Sequence, residues 1–442
     1  MDENFDGTLF ERGSDGYEEA RLGAVFNALV PDRFPDLIVL AESEADCVEA
    51  VRLANSRNVQ ISVRSGGHSW AANHVRDGGI LLDLSGLDGV KIDSARMSAA
   101  AQPGCKGNVL DLALEEQDLF FPVGHCPGVA IGGYLLQGGF GWNGRVHGPA
   151  CMSVEAVDVV TPAGELVRAD ADRNPDLYWA ARGSGPGFFG VITRYHLKLY
   201  ERPPVIANGV VSYPLDLLEE VFTWAHEIGP DVPRYMELMV FTHRDPDGEP
   251  EVVVTGPVLA PGEDEAREAL ALLETCPVYD QAKVAAPNVP ARLADLFAGV
   301  HLSYPDDHRY AVDNMWTSAP VAELLPGIRA IAESLPGAPS HMLWMNWGAS
   351  PARPDMAYSL EDETYIALYA VWEDPAEDER NIGWATGHMK SMEDMATGIQ
   401  LADENLGRRP ASFVADENLG RLDRLRAEAD PEGRFREWMG RP

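Results

Sequence analysis

The chain has 442 residues, enough for two or three domains with their own cores, and its 45% hydrophobic and 24% charged content is that of a soluble globular protein. Seventy acidic against 35 basic residues give a net charge of −35, a field that repels phosphate backbones and anionic lipid and excludes nucleic acid and membrane surfaces as partners. No stretch approaches the roughly 18 consecutive apolar residues of a membrane span. The acidic start MDENFDGTLFERG has no signal-peptide character, so a cytoplasmic setting is expected. The five cysteines (Cys47, Cys105, Cys126, Cys151, Cys276) are widely spaced and show no metal-ligand spacing, which predicts neither a disulfide framework nor a metal site.

In chain order, PDLIVLA (35–41) predicts a short buried strand, and Ser43 opens an S-x-x-D cap on the helical run EADCVEAVRLANSRN. VQISV (59–63) predicts a strand that runs into the loop Arg64-Ser65-Gly66-Gly67-His68-Ser69-Trp70. Strands follow at 80–84 and 96–102, then a helix at 107–117. Residues 124–148 (GHCPGVAIGGYLLQGGFGWNGRVHG) hold nine glycines, which suits a backbone laid closely against a long, flat ligand. VEAVDVVTPAGELV predicts a hairpin turning at Pro162–Gly164, with a helix near 174–182 and a glycine-rich turn into a strand after it. A first boundary falls at Pro203–Pro204. Beyond it, the strand-like runs ANGVVSY, YMELMVF, EVVVTGPV, HMLWMNW and TYIALYAVW mix with acidic amphipathic helices, predicting a largely antiparallel sheet covered by helices on one side. The free face of that sheet should carry the aromatic positions. The heptapeptide ADENLGR occurs at 402–408 and again at 415–421, which suggests two similar helix starts.

His68 and Cys126 each sit at a glycine-rich turn, and both are nucleophiles, as substitution at two positions of an electron-poor ring would require. His125 and the surrounding backbone amides are expected to lower the Cys126 thiol pKa. The glycine cluster GSGPGFFG (183–190) also raises a nicotinamide-dependent dehydrogenase, but an acidic residue about 20 positions later on a following strand is missing.

Taken together, RSGGHSW, GHCPGVAIGGYLLQGGFGWNGRVHG, NPDLYWAARGSGPGFFGVITRYHLKLY and RLDRLRAEADPEGRF resemble the berberine-bridge-enzyme-like flavoproteins of the vanillyl-alcohol-oxidase (p-cresol methylhydroxylase) superfamily. The resemblance implies an α+β fold: a two-part FAD-binding domain (1–204), a substrate domain with a helix-covered antiparallel sheet (205–400), and a C-terminal segment (401–442) returning to the first domain. It implies FAD held by two covalent bonds, the 8α-methyl carbon to His68 and the 6-position to Cys126. Arg64, Ser65, Gly66, Gly67 and Ser69 would embrace the cofactor with His68. Gly124, Gly128, Val129, Gly132, Gly133, Gly138 and Gly139 would line its ring and diphosphate, with Gly190 and Val191 near the adenine. A valine three residues after the cysteine resembles the oxygen-using members, so an oxidase releasing hydrogen peroxide from a small alcohol, sugar, amine or natural product is expected. A flavoprotein dehydrogenase or a flavin-loaded binding protein is the alternative.

The sequence departs from the family where many members carry a Y-x-N motif, because RRPASFVADEN places Pro410 and Ser412 there. A proton acceptor is therefore sought on the aromatic strands. Strand alternation groups Tyr365 with Tyr369, Met342 with Trp344 and Asn346 (His341 opposite), and Tyr235 with Glu237 and Met239. Tyr365, Tyr369 and Glu237 are the candidates.

Overall fold

The computed structural model describes residues 5–350 and 352–441. Its N-terminal half builds two larger sheets and a two-stranded ribbon of Leu119–Phe120 with Tyr200–Glu201. The first is four-stranded, ordered Thr8–Glu11, Leu37–Leu40, Ile80–Asp83, Ile61–Arg64. Its last three strands are parallel, since the helix Glu44–Arg57 supplies the crossover; LIV and ILL are buried and apolar, while Ser62, Arg64 and Asp83 bring polar groups toward the strand end that faces the loop. That helix starts where expected: Ser43 accepts the Asp46 N–H and Asp46 accepts the Ser43 N–H, a reciprocal cap of about 1 kcal/mol. The second sheet is five-stranded and includes the expected hairpin, Val154–Val160 with Leu166–Ala169.

Every longer strand from Val205 to Trp372 joins one antiparallel sheet of eight strands. Alternation decides its two faces. Met342, Trp344, Ile366 and Leu368 pack beneath the helices Leu218–Ile228, Val321–Glu333 and Asp378–Ser391. Leu343, Met345, Tyr365, Ala367 and Tyr369 form the opposite face. The grouping of Met342, Trp344 and Asn346 therefore holds, but the trio faces the helix layer and Gly229 rather than a site.

Two strands of this sheet were not anticipated. Arg309–Thr317 is buried over most of its length, which hides the period-2 signal, and Val284–Pro290 is an edge strand with two prolines. Only one ADENLGR copy starts a helix, Asp416–Ala429; the other is a single 3-10 turn, Leu401–Asp403, followed by irregular chain. After that helix the chain returns to the first sheet, where Phe435 pairs with Ile61.

Candidate active site

Between the N-terminal half and the free face of the eight-stranded sheet lies a cavity of about 790 Å³. One end is built from the loop after Ile61–Arg64. Arg64 forks Asp83 at 2.7 and 2.8 Å, and its remaining guanidinium hydrogens go to the carbonyls of Ala24, Gly23 and Gly66, so the loop is fixed at its root. Gly67 has φ +75° and lies 2.3 Å, measured from the position of a Cβ, from the Ala24 carbonyl oxygen, which only glycine tolerates.

This loop presents His68 to the cavity, stacked on Phe26 with ring centroids 4.1 Å apart. Burial, followed by the charge of Lys106, pushes the His68 pKa down to about 4, so the ring is neutral at physiological pH. Its Nδ1 is shut off from solvent and has no hydrogen-bond partner. A neutral imidazole on the cavity wall keeps a ring lone pair and so its nucleophilic character. Cys126 lies on the same cavity wall, and the two loops touch: a Cβ on Gly128 would stand 3.0 Å from the His68 ring. Contrary to expectation, the Cys126 thiol is not acidified. Burial, aided by the Asp403 charge, pushes it up to about 12 and outweighs any help from His125.

The remaining cofactor candidates divide. Arg64, Ser65, Gly66, Gly67, Ser69, Gly124, Val129, Gly132, Gly133 and Gly190 line the cavity. At Gly133 a side chain would enter open space, the cradle a flat ligand fills. Gly128, Gly138, Gly139 and Val191 do not line it. Gly128 backs His68, Gly138 lets Tyr358 approach, Gly139 lets Ala150 and Tyr134 approach, and Val191 belongs to the core under the first sheet. These glycines serve close packing, which sequence alone does not separate from ligand contact. The residues present therefore fit a flavin.

The opposite wall is the free sheet face. Tyr365 and Tyr369 converge as the alternation predicts, and both hydroxyls donate to one oxygen of Asp403, at 2.5 and 2.8 Å. The other oxygen accepts the Trp70 indole N–H at 2.6 Å. Burial pushes the Asp403 carboxyl above its ordinary range, with the hydrogen bonds from Tyr365, Trp70 and Tyr369 opposing that rise. Burial likewise drives both tyrosines well upward, so they remain donors. His341, turned toward the cavity, accepts from Tyr304 at 3.1 Å while its Nδ1–H donates to the Pro339 carbonyl.

Asp403 was not anticipated. It arrives on the 3-10 turn, held by Asn314, whose amide donates to the carbonyls of Gln400 and Asp403, and by Arg409, which forks the buried Asp313. Pro410 is exposed and Ser412 pairs through its carbonyl with Ile399; the segment that reaches the cavity is 400–403. Glu237 is 1% exposed but lies behind the cavity wall, because the strand begins only at Met239. Its carboxylate accepts His125 Nε2–H and the Asn143 N–H, both at 2.8 Å.

Residues 35–170 match the FAD binding domain family. The FAD-linked oxidoreductase nodO of Hypoxylon pulicicidum is 33% identical over 437 residues, covering 96% of this chain and 94% of its own. The chain belongs to the FAD-linked oxidoreductases. It is a flavin-dependent oxidoreductase, and its fold is shared with the BBE-like 1 protein of Physcomitrella patens (TM-score 0.84, 21% identity, 98% of this chain and 96% of that one). The fold is shared over nearly its whole length with 6-hydroxy-D-nicotine oxidase from Arthrobacter nicotinovorans (TM-score 0.87, 23% identity, 99% of this chain and 98% of that one). It is shared too with the grass pollen allergen Phl p 4, described as a glucose dehydrogenase (TM-score 0.83, 19% identity, 98% and 96%), whose isoleucine-to-valine variant is described as a glucose oxidase. Among the described residues of this FAD-linked oxidoreductase, no helix is long and apolar enough to cross a membrane, and no cluster of metal-ligating side chains occurs.

Proposed function

We propose that this FAD-linked oxidoreductase is a bicovalent flavin oxidase that removes hydride from a carbon bearing a hydroxyl or amine and passes the electrons to dioxygen, releasing hydrogen peroxide. The observation that carries this reading is the gathering around one cavity of two nucleophilic side chains, His68 and Cys126, with a half-buried carboxylate, Asp403. When bound, FAD supplies the two-electron acceptor and the route to dioxygen.

The protein's own share is binding, orientation and proton transfer. His68 and Cys126 anchor the cofactor and prevent its loss. Asp403 accepts the substrate hydroxyl or amine proton, since a carboxyl tuned upward is a better base than an ordinary one. Tyr365 and Tyr369 keep their protons and hold the Asp403 carboxylate in place. Met239, Phe241, Leu343 and Met345 exclude water and favour an apolar, ring-containing substrate over a simple sugar, which would need more hydrogen-bonding partners. Val129, on the cavity wall, leaves room for dioxygen. The dehydrogenase reading is the second one, because in Phl p 4 a single aliphatic exchange separates the two activities.

Acid precipitation of purified protein tests the anchoring: the yellow colour should stay in the pellet, and release of all flavin into the supernatant overturns it. Peroxide formation across apolar alcohols and amines tests the oxidase assignment. Reduction of an artificial dye without peroxide would replace it with a dehydrogenase.

A further inference from the structure

Glu237 is a fully buried carboxylate that no catalytic step uses. One oxygen takes His125, the residue preceding Cys126, and the other takes the main chain of Asn143. Asn143 closes the same glycine-rich segment: its neighbour Gly141 bridges to Gly124, two residues before Cys126, and Asn143 itself has φ +57°, a strained setting that needs outside support. A single carboxylate from the segment leading into the eight-stranded sheet thus holds both ends of the loop that carries the cysteine. His125 is wedged further by Trp142, with ring centroids 4.5 Å apart.

We infer that the Glu237–His125 clasp is a positioning device for the second flavin bond, holding the Cys126 loop so that sulfur meets the ring edge while His68 holds the other position. The inference rests on the bicovalent reading above. The bond forms as the thiol S–H and a ring C–H are exchanged for S–C. The two protons and two electrons released pass to dioxygen, giving hydrogen peroxide. Such a thiol is not self-activating, because burial keeps it protonated, so attachment depends on how it is held. His68 is rooted separately through Arg64 and Asp83, and its bond should not depend on the clasp.

The test is the flavin load on each anchor, measured by mass spectrometry of proteolytic peptides from holoprotein purified with excess FAD. Wild type should carry flavin bridging the His68 and Cys126 peptides. Glu237→Ala and His125→Ala should each lower the bridged fraction at least tenfold, leaving flavin on His68 alone, and the double variant should be no worse than either single one. Glu237→Gln keeps an oxygen for the Asn143 N–H and donates its amide N–H to His125 Nε2 once the imidazole carries its proton on Nδ1, and should stay within threefold of wild type. A clasp that merely supported the fold would instead lower both attachments together, along with the melting temperature. Bridged flavin in Glu237→Ala at the wild-type level overturns the clasp alone. A wild-type Cys126 peptide without flavin overturns the bicovalent reading and the clasp with it. If Glu237→Ala does not fold, His125→Ala decides by the same ratio.

Discussion

His74 offers a direct measure of how burial shapes the loop that carries His68. Its Nε2–H donates to the Ala24 carbonyl at 2.9 Å, the same carbonyl that Arg64 holds, and burial pushes its pKa down to about 3 from 6.5. A depressed pKa means that the unfolded chain binds the proton first. Stability from this group is therefore complete above pH 6.5 and falls as pH drops toward the folded value. At pH 5 the unfolded histidine gains about 1.5 pH units' worth of protonation, or ~2 kcal/mol at 1.36 kcal/mol per unit. His147 and His341 are each pushed down to about 4 by burial and add similar amounts, so the three together cost roughly 6 kcal/mol at pH 5. His74→Gln keeps a donor for Ala24 but cannot take the proton. The assay is urea unfolding of wild type and variant at pH 8 and pH 5. The difference in unfolding free energy between the two proteins should move by ~2 kcal/mol in favour of the variant on going to pH 5. Parallel behaviour at both pH values would refute the assignment of a buried, neutral His74.

Asp403→Asn should retain the yellow colour but slow substrate-driven bleaching of the flavin by 10²–10⁴-fold, roughly the worth of a positioned base; a loss below tenfold would remove Asp403 from the chemistry. Because the Asp403 carboxyl is raised by burial, wild-type bleaching should decline as pH falls through a value above the ordinary carboxylate range, and stopped-flow traces of the Asn variant should lack that limb. Arg409→Met strands the 1%-exposed Asp313 and should cost about 3–5 kcal/mol in urea unfolding, while pairing it with Asp313→Leu should restore most of that. Val129→Leu should slow reoxidation of the dithionite-reduced protein by dioxygen about tenfold, equivalent to ~1.4 kcal/mol in the barrier, with attachment unchanged.

The cofactor side was legible because local rules carry it: a strand feeding R-S-G-G-H and a glycine-dense segment need no long-range information to announce a cradle. The helix cap at Ser43, the hairpin at Pro162–Gly164 and the shared face of Tyr365 and Tyr369 are of the same kind. Asp403 could not be read this way. It belongs to one of two identical heptapeptides, and Asp416 in the other is an ordinary helix-start residue. What separates the two copies is tertiary: Asn314 and the Asp313–Arg409 fork capture the first in an irregular turn, overriding a helix start that succeeds in the second. Glu237 was singled out for the wrong reason, since a period-2 projection assumed a strand that begins two residues later.

The pairing of Ile61 with Phe435 joins residues 374 positions apart, and it borders the strand whose end carries His68. On the ribosome, most of the first sheet exists long before this last partner emerges. Its cofactor seat stays open on that flank until residue 435 is made, and the carboxylate of Asp403 comes from the same late-made stretch. The seat and its base are therefore far apart in order of synthesis: removing residues 400–436 takes away Asp403 and the Phe435 bridge together and leaves the loops of His68 and Cys126 without either.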